Sequence, residues 1–291
     1  MSRKCSSVVL ALLTILALTA SALSCGQEEV SDKIGVVVTI QPQAEFVENV
    51  GGEMVKVTVM IPTGASPHTY EPTPGQMTEA AKARMYAKVG SGVEFELAYM
   101  DKIAAVNKNM LIVDCSEGIQ LITSDDPNEP GMDPHIWVSP RNAMIMVQNI
   151  CEGLIQVDPE NRAYYEMNRD TYLNKLDELD KEISDELADV QNRAFIVFHP
   201  SWGYFASDYN LEQIAIEVDG KEPSAQDIAR IIEEAEKRNI KVVFASPQFN
   251  PQSANVIAKE IDGRVILIDN LARDYIENMQ AVLNELSQAM E

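Results

Sequence analysis

Residues 159–191 read PENRAYYEMNRDTYLNKLDELDKEISDELADVQ, an unbroken stretch that opens on proline and contains no glycine. Tyr172, Leu173, Leu176, Leu179, Ile183 and Leu187 recur at helical spacing among dense acids and bases, the pattern of one amphipathic helix. Proline is well suited to its first turn. A helix over the whole stretch would span roughly 45 to 50 Å, more than a crossover inside one small domain requires. The spacing therefore predicts a single long backbone helix joining two lobes, residues 33–158 and 192–291.

The flanking segments say what the lobes are made of. Upstream, apolar runs at 34–40, 55–61, 86–89 and 110–113 read as strands, with helical spacing between them. Downstream, runs at 194–198, 213–218, 241–245 and 265–268 repeat the scheme, with 224–238 among the intervening helices. Strands alternating with helices predict α/β lobes built on mainly parallel sheets.

The chain has 291 residues, 46% of them hydrophobic, enough for a large core. Its formal net charge is −22. Removing residues 1–24, which hold Arg3 and Lys4 but no acid, leaves −24. Such a surface repels a phosphate backbone, which excludes nucleic acid as a partner. Arg3 and Lys4 precede an uncharged apolar run at 8–23, short for a membrane span and laid out like a secretory signal peptide. Ala22-Leu23-Ser24-Cys25 looks like a lipoprotein cleavage box, with alanine where leucine is usual. The expectation is a signal peptide over 1–24, an acylated Cys25 and a polar tether over 25–32. Cys5 leaves with the signal, so Cys115 and Cys151 are the remaining thiols, either paired or buried as free cysteines.

The chemistry is concentrated in three histidines. His68 lies in Ser66-Pro67-His68-Thr69-Tyr70, His135 in Asp133-Pro134-His135-Ile136-Trp137, and His199 in His199-Pro200-Ser201-Trp202-Gly203. Each falls in a loop near a strand end. Open parallel sheets bind ligands beyond the carboxyl ends of their strands, so three such loops from two lobes can meet in one cleft. Asp269 holds the same kind of position after 265–268. Three imidazoles and a carboxylate suit zinc or another late first-row metal, at bond lengths of about 2.0 to 2.2 Å. Against this stands the plain alternative, that loop histidines are turn residues and that an aspartate after a strand caps the next helix.

Five segments together are more specific: Gly64 through Pro72, Asp133 through Trp137, His199 through Phe205, Glu222-Pro223-Ser224, and Val243 through Phe249. With these in this order the chain resembles the metal-specific solute-binding lipoproteins of ABC importers, the cluster A-I (cluster 9) family, over essentially the whole mature sequence. The resemblance implies two (β/α) lobes bridged by a rigid helix, with the metal between them. It implies His68 and His135 as ligands from the first lobe, and His199 and Asp269 from the second. It also implies a monomeric receptor rather than an enzyme, lipid-anchored on the extracytoplasmic face of the membrane or periplasmic, delivering its ion to an ABC permease. No G-x-x-x-x-G-K-[ST] loop occurs, so ATP hydrolysis belongs to a separate subunit.

Manganese receptors of this family often carry glutamate where His199 stands, and a third imidazole favours zinc. Manganese is the alternative ion. Two departures from the family pattern are a segment at 121–132 with acids but no histidine, and Ser246 where glutamate is common. The competing class is a zinc hydrolase with Glu71 as general base. Its counterpart is that Glu71 begins the helix after Pro72, and a fourth protein ligand would leave no open position for water. An adhesive role has no residue to support it. Trp137, Trp202 and Tyr204 are expected to pack beside the metal ligands, exclude water and fix the rings.

Overall fold

The computed structural model describes residues 33–123, 131–217 and 222–290. The proposed signal, the tether and Cys25 lie outside the described residues, as do Asp125, Asp126 and Glu129. In the first lobe β1 (Ile34–Val38), β2 (Val55–Val59), β3 (Met85–Lys88) and β4 (Leu111–Asp114) form a parallel sheet in the order β2-β1-β3-β4. In the second, β5 (Ala194–Val197), β6 (Glu212–Ala215), β7 (Val242–Ala245) and β8 (Arg264–Leu267) repeat it as β6-β5-β7-β8, again parallel. Each observed strand lies on or within two residues of its predicted run.

Nine α-helices are described. Of these α1 (Gln41–Gly51), α2 (Pro74–Ala80), α3 (Glu94–Val106) and α4 (Pro140–Val157) belong to the first lobe. The linking helix α5 runs Arg162–Glu186, followed by α6 (Gly203–Asp208), α7 (Ala225–Lys237), α8 (Gln252–Glu260) and α9 (Tyr275–Met290). No helix among the described residues is long and apolar enough to cross a membrane.

The linking helix is shorter than its sequence pattern. Pro159–Asn161 is a separate 3-10 turn and α5 has 25 residues, about 37 Å. Its end has a physical cause. The Arg193 guanidinium donates to the carbonyl oxygens of Leu187 (2.6 Å) and Ala188 (3.3 Å), taking up acceptors that further helical turns would have used. Glu71 does not begin α2. Thr73 caps it, its Oγ1 accepting from Gln76 N while Gln76 Oε1 accepts from Thr73 N, a capping box. Glu71 is exposed.

The lobes share a core. Along β5 successive side chains point to opposite faces. Phe195 and Val197 join a cluster that runs through Leu176 and Leu179 of α5 and Tyr275 of α9 into Phe46 and Val47 of the first lobe. Ala194, Ile196 and Phe198 face the other way, onto Ile231 of α7 and Ile257 of α8. Glu45 of α1 fastens the junction: Tyr172 Oη donates to it at 2.7 Å, and so does Tyr275 N. Cys115 and Cys151 are buried free thiols.

Because that cluster is continuous, the protein should unfold in one step. The fluorescence of Trp137 and Trp202, one in each lobe, should change with the same urea midpoint as the far-UV circular dichroism. Leu176→Ala should lower the stability reported by all probes by about 2 to 5 kcal/mol. Two separated midpoints would contradict a shared core.

Candidate metal centre

Strand order puts the ligand-bearing loops on one side. His68 follows β2, His135 follows β4 and sits just before a 3-10 turn at Ile136–Val138, and His199 lies two residues past β5. All three therefore stand beyond carboxyl ends of parallel strands, at the edge where the two sheets face each other. Their donor nitrogens lie within 4.8 Å of one another. His199 Nε2 is 3.2 Å from His135 Nε2. The His68 and His199 rings meet edge to face at 4.9 Å, and those of His135 and His199 at 5.1 Å. His135 and His199 are buried, whereas His68 stands at the mouth with its side chain 29% exposed.

Each ring has a carboxylate behind it. His68 Nδ1 faces Glu94 Oε1 at 3.0 Å, His135 Nδ1 faces Asp133 Oδ1 at 2.8 Å, and His199 Nδ1 faces Glu217 Oε2 at 2.6 Å. An ionised carboxylate only accepts, so in the neutral rings Nδ1 carries the proton and Nε2 keeps its lone pair. Two lone pairs then face each other across 3.2 Å with no proton between them. That arrangement calls for a cation. Tetrahedral zinc bound by two imidazoles would separate their nitrogens by about 3.3 Å, so the spacing fits without rearrangement. The space lined by His68, His135, His199, Trp137, Gln248 and Asn270 is about 10 Å³, room for one water-sized body.

The electrostatics agree. The pKa of His199 is lowered from the ordinary 6.5, first by burial, with the neighbouring His135 and His68 adding to the effect and Glu217 opposing it. Burial would raise the carboxyl of Glu94, yet its hydrogen bond to His68 and the charge of that ring hold it below the usual value. A buried His199 that resists protonation and a Glu94 that resists neutralisation favour a cation at this cluster.

Packing secures the orientation of the rings. Tyr204 Oη donates to Asp133 O at 2.9 Å and Phe249 stacks on His199 at 4.7 Å. Trp137, 1% exposed, packs 5.3 Å from His135 and donates Nε1 to Asn270 O across the cleft at 2.6 Å. Trp137 and Tyr204 thus take up the packing expected of them, whereas the buried Trp202 packs against Phe205. A Cβ on Gly203 would stand 2.5 Å from Asp133 Oδ2, so the glycine of the His199 motif leaves room for the carboxylate that orients His135.

Asp269 is the exception. It is not among the converging donors. Its Oδ1 accepts from Gln248 Nε2 (2.8 Å) and Leu271 N (2.9 Å), and its carbonyl oxygen accepts from Asn278 Nδ2 (2.6 Å). Gln248 and Asn270, its partner and its neighbour, line the cavity. Sequence reasoning assigned no role to Asp133, Glu94, Glu217 or Gln248. Asp133 was accessible as the acid two residues before His135, and Glu217 follows β6, which pairs with β5 so that Val197 lies opposite Ala215. Glu94 had no local signal, because only packing of α3 brings it to His68.

Fold and site together define a two-lobed α/β protein of the metal-receptor class, with three histidines converging where loops beyond its parallel sheets meet. Residues 36–289 match the sequence profile of the ZnuA family, described as zinc-uptake complex component A, periplasmic. The chain belongs to that family. It is 30% identical over 259 residues to the high-affinity zinc uptake system protein ZnuA of Bacillus subtilis (strain 168), covering 82% of this chain and 79% of that protein. It is 28% identical over 307 residues to the manganese ABC transporter substrate-binding lipoprotein scaA of Streptococcus gordonii, covering 99% of each. A crystal structure of ZnuA superposes with a TM-score of 0.86 at 40% identity, covering 89% of this chain and all of that one.

Glu217→Gln should weaken zinc binding by about 10- to 100-fold, because the charge that orients the His199 ring and raises its basicity is gone. The apo protein should keep its circular dichroism spectrum. Competition with a chelating dye measures the change, and an unaltered affinity would remove Glu217 from the site.

Proposed function

We propose that this protein captures a divalent transition metal outside the cytoplasm, zinc in preference to manganese, and delivers it to an ABC permease whose ATPase is a separate subunit. The observation that carries the reading is the meeting of His68, His135 and His199, each backed by a carboxylate and presenting Nε2 to a space the size of one ion. Three nitrogens favour zinc over the oxygen-preferring manganese, and the zinc-uptake relatives support that choice. The manganese relative keeps manganese as the alternative. Asp269 is the proposed fourth donor. Both of its side-chain hydrogen bonds fall on Oδ1, which leaves Oδ2 with no such bond among the described residues. A receptor rather than a hydrolase is supported by Glu71, which is exposed and does not line the cavity. Acylated Cys25 would anchor the monomer to the membrane.

Exchange of the ion proceeds in this reading through the loop of His68. Its neighbours Pro62, Thr63 and Gly64 are exposed, whereas the other two histidines are buried. Local opening draws on such weakly packed segments, and the shared core opposes a wide hinge.

Zinc and manganese titrations with metal analysis test the proposal. One zinc per chain is expected, with affinity falling at least tenfold in His199→Ala. A chain that holds no stoichiometric metal refutes the reading, and tighter manganese than zinc reverses the choice of ion. Protons compete with the metal for Nε2. Because the pKa of His199 lies below 6.5, its neutral form persists on acidification past that value. Affinity should hold from pH 8 to 7 and fall steeply below about pH 6. A dissociation constant unchanged between pH 7.5 and 5 would contradict imidazole ligation.

A further inference from the structure

The side chain of Gln248 is only half accounted for by the fold. Its Nε2 donates to Asp269 Oδ1 at 2.8 Å. Only the amide nitrogen can donate to a carboxylate, so this bond fixes which end of the amide is which. The other end, Oε1, is buried and has no hydrogen-bond partner among the described residues. A buried acceptor without a donor is unfavourable and is rare enough to require a reason. Gln248 lines the ion-sized space with the three histidines and also the larger cavity of about 480 Å³ outside it, beside Glu217 and Glu222. The residue that carries this orphaned acceptor thus borders the space the cargo would enter.

We infer that Gln248 is a specificity-determining positioning residue: its Nε2 holds Asp269 in place while its Oε1 accepts a hydrogen bond from a water carried on the bound ion. This rests on the reading that the cleft binds a divalent metal. Its consequence differs between ions. Zinc held by three imidazoles and Asp269 is complete with four ligands and carries no water. Manganese prefers oxygen and retains water in its shell, so it alone uses the free acceptor. Gln248 thus favours manganese in an otherwise nitrogen-rich site. Ser246, where the family commonly has glutamate, contributes no carboxylate on this loop, leaving the amide oxygen of Gln248 as the neutral acceptor beside the cavity.

The test compares Zn²⁺ and Mn²⁺ titrations of the unsubstituted protein, Gln248→Met, Gln248→Glu and His199→Ala, with circular dichroism of each apo form. Methionine keeps the length of the side chain and removes both polar ends. Gln248→Met should weaken both ions through loss of the bond to Asp269, and manganese at least tenfold more than zinc. Gln248→Glu also loses the donor to Asp269 but retains an acceptor oxygen, so it should hold manganese at least tenfold more tightly than Gln248→Met does. Equal losses for both ions in Gln248→Met, no loss for either, or a manganese loss in Gln248→Glu as large as in Gln248→Met would overturn the inference. If Gln248→Met does not fold, Gln248→Leu, which also removes both polar ends, takes its place in the comparison. Absence of stoichiometric metal in the unsubstituted protein, or an unweakened His199→Ala, would instead show that the metal reading beneath it had failed.

Discussion

Two buried imidazoles, His135 and His199, and a third at the mouth, His68, meet around His199 at about 5 Å, each with a carboxylate against its Nδ1, and the architecture of the site follows from that arrangement. Burial removes water that would stabilise a charged His199, and the neighbouring His135 and His68 oppose its protonation further. Neutrality alone would leave each ring free to choose its tautomer. The carboxylates of Glu94, Asp133 and Glu217 remove that choice by accepting from Nδ1, so every Nε2 points a lone pair at the same place. The resulting cluster holds negative charge in its outer ring and neutral donors inside. It attracts a cation from a distance and then meets it with nitrogen.

Such a cluster needs rigid support, because its six groups come from separate parts of the chain. Parallel sheets provide the common edge, and the continuous core provides the fixed separation between lobes. Trp137 closes the floor by reaching from the first lobe to Asn270 of the second. At the outer side of the junction Arg273 of the second lobe contacts Glu48 of α1, and Glu45 receives hydrogen bonds from α5 and α9. The long helix is therefore one wall of a packed interior, not a free hinge. What remains adaptable is at the surface: the His68 loop, tied back by Gln76 Nε2 to Val59 O and Met60 O, and the Gln248 side chain, with one end anchored and the other without a partner.

Much of this was legible in the residues themselves. Runs of β-branched and apolar residues separated by helical spacing define parallel-sheet lobes wherever they occur, so all eight strands were visible. The glycine-free stretch after Pro159 announced the linking helix, and the histidines could be singled out because there are only three and all sit in loops at strand ends. The overestimate of α5 at its end has a tertiary origin, since its last predicted turns contain nothing that breaks a helix until Arg193 folds back onto their carbonyl oxygens. Thr73 as the cap of α2, in place of Glu71, was available locally through its pairing with Gln76.

Periodicity and local motif thus determined the elements, the class of fold and the candidate ligands of this protein, because those depend on residues a few positions apart. Only the tertiary structure decided which carboxylate stands behind which imidazole, that the two lobes share one core, that Cys115 and Cys151 stay free, and that Asp269 is held by Gln248 beside the three histidines rather than among them. Apart from Asp133 and His135, two positions apart, these features join residues separated by 18 to more than a hundred positions. Their geometry is set by how sheets, α3 and α5 pack, and no local spacing in a chain encodes a distance of that kind.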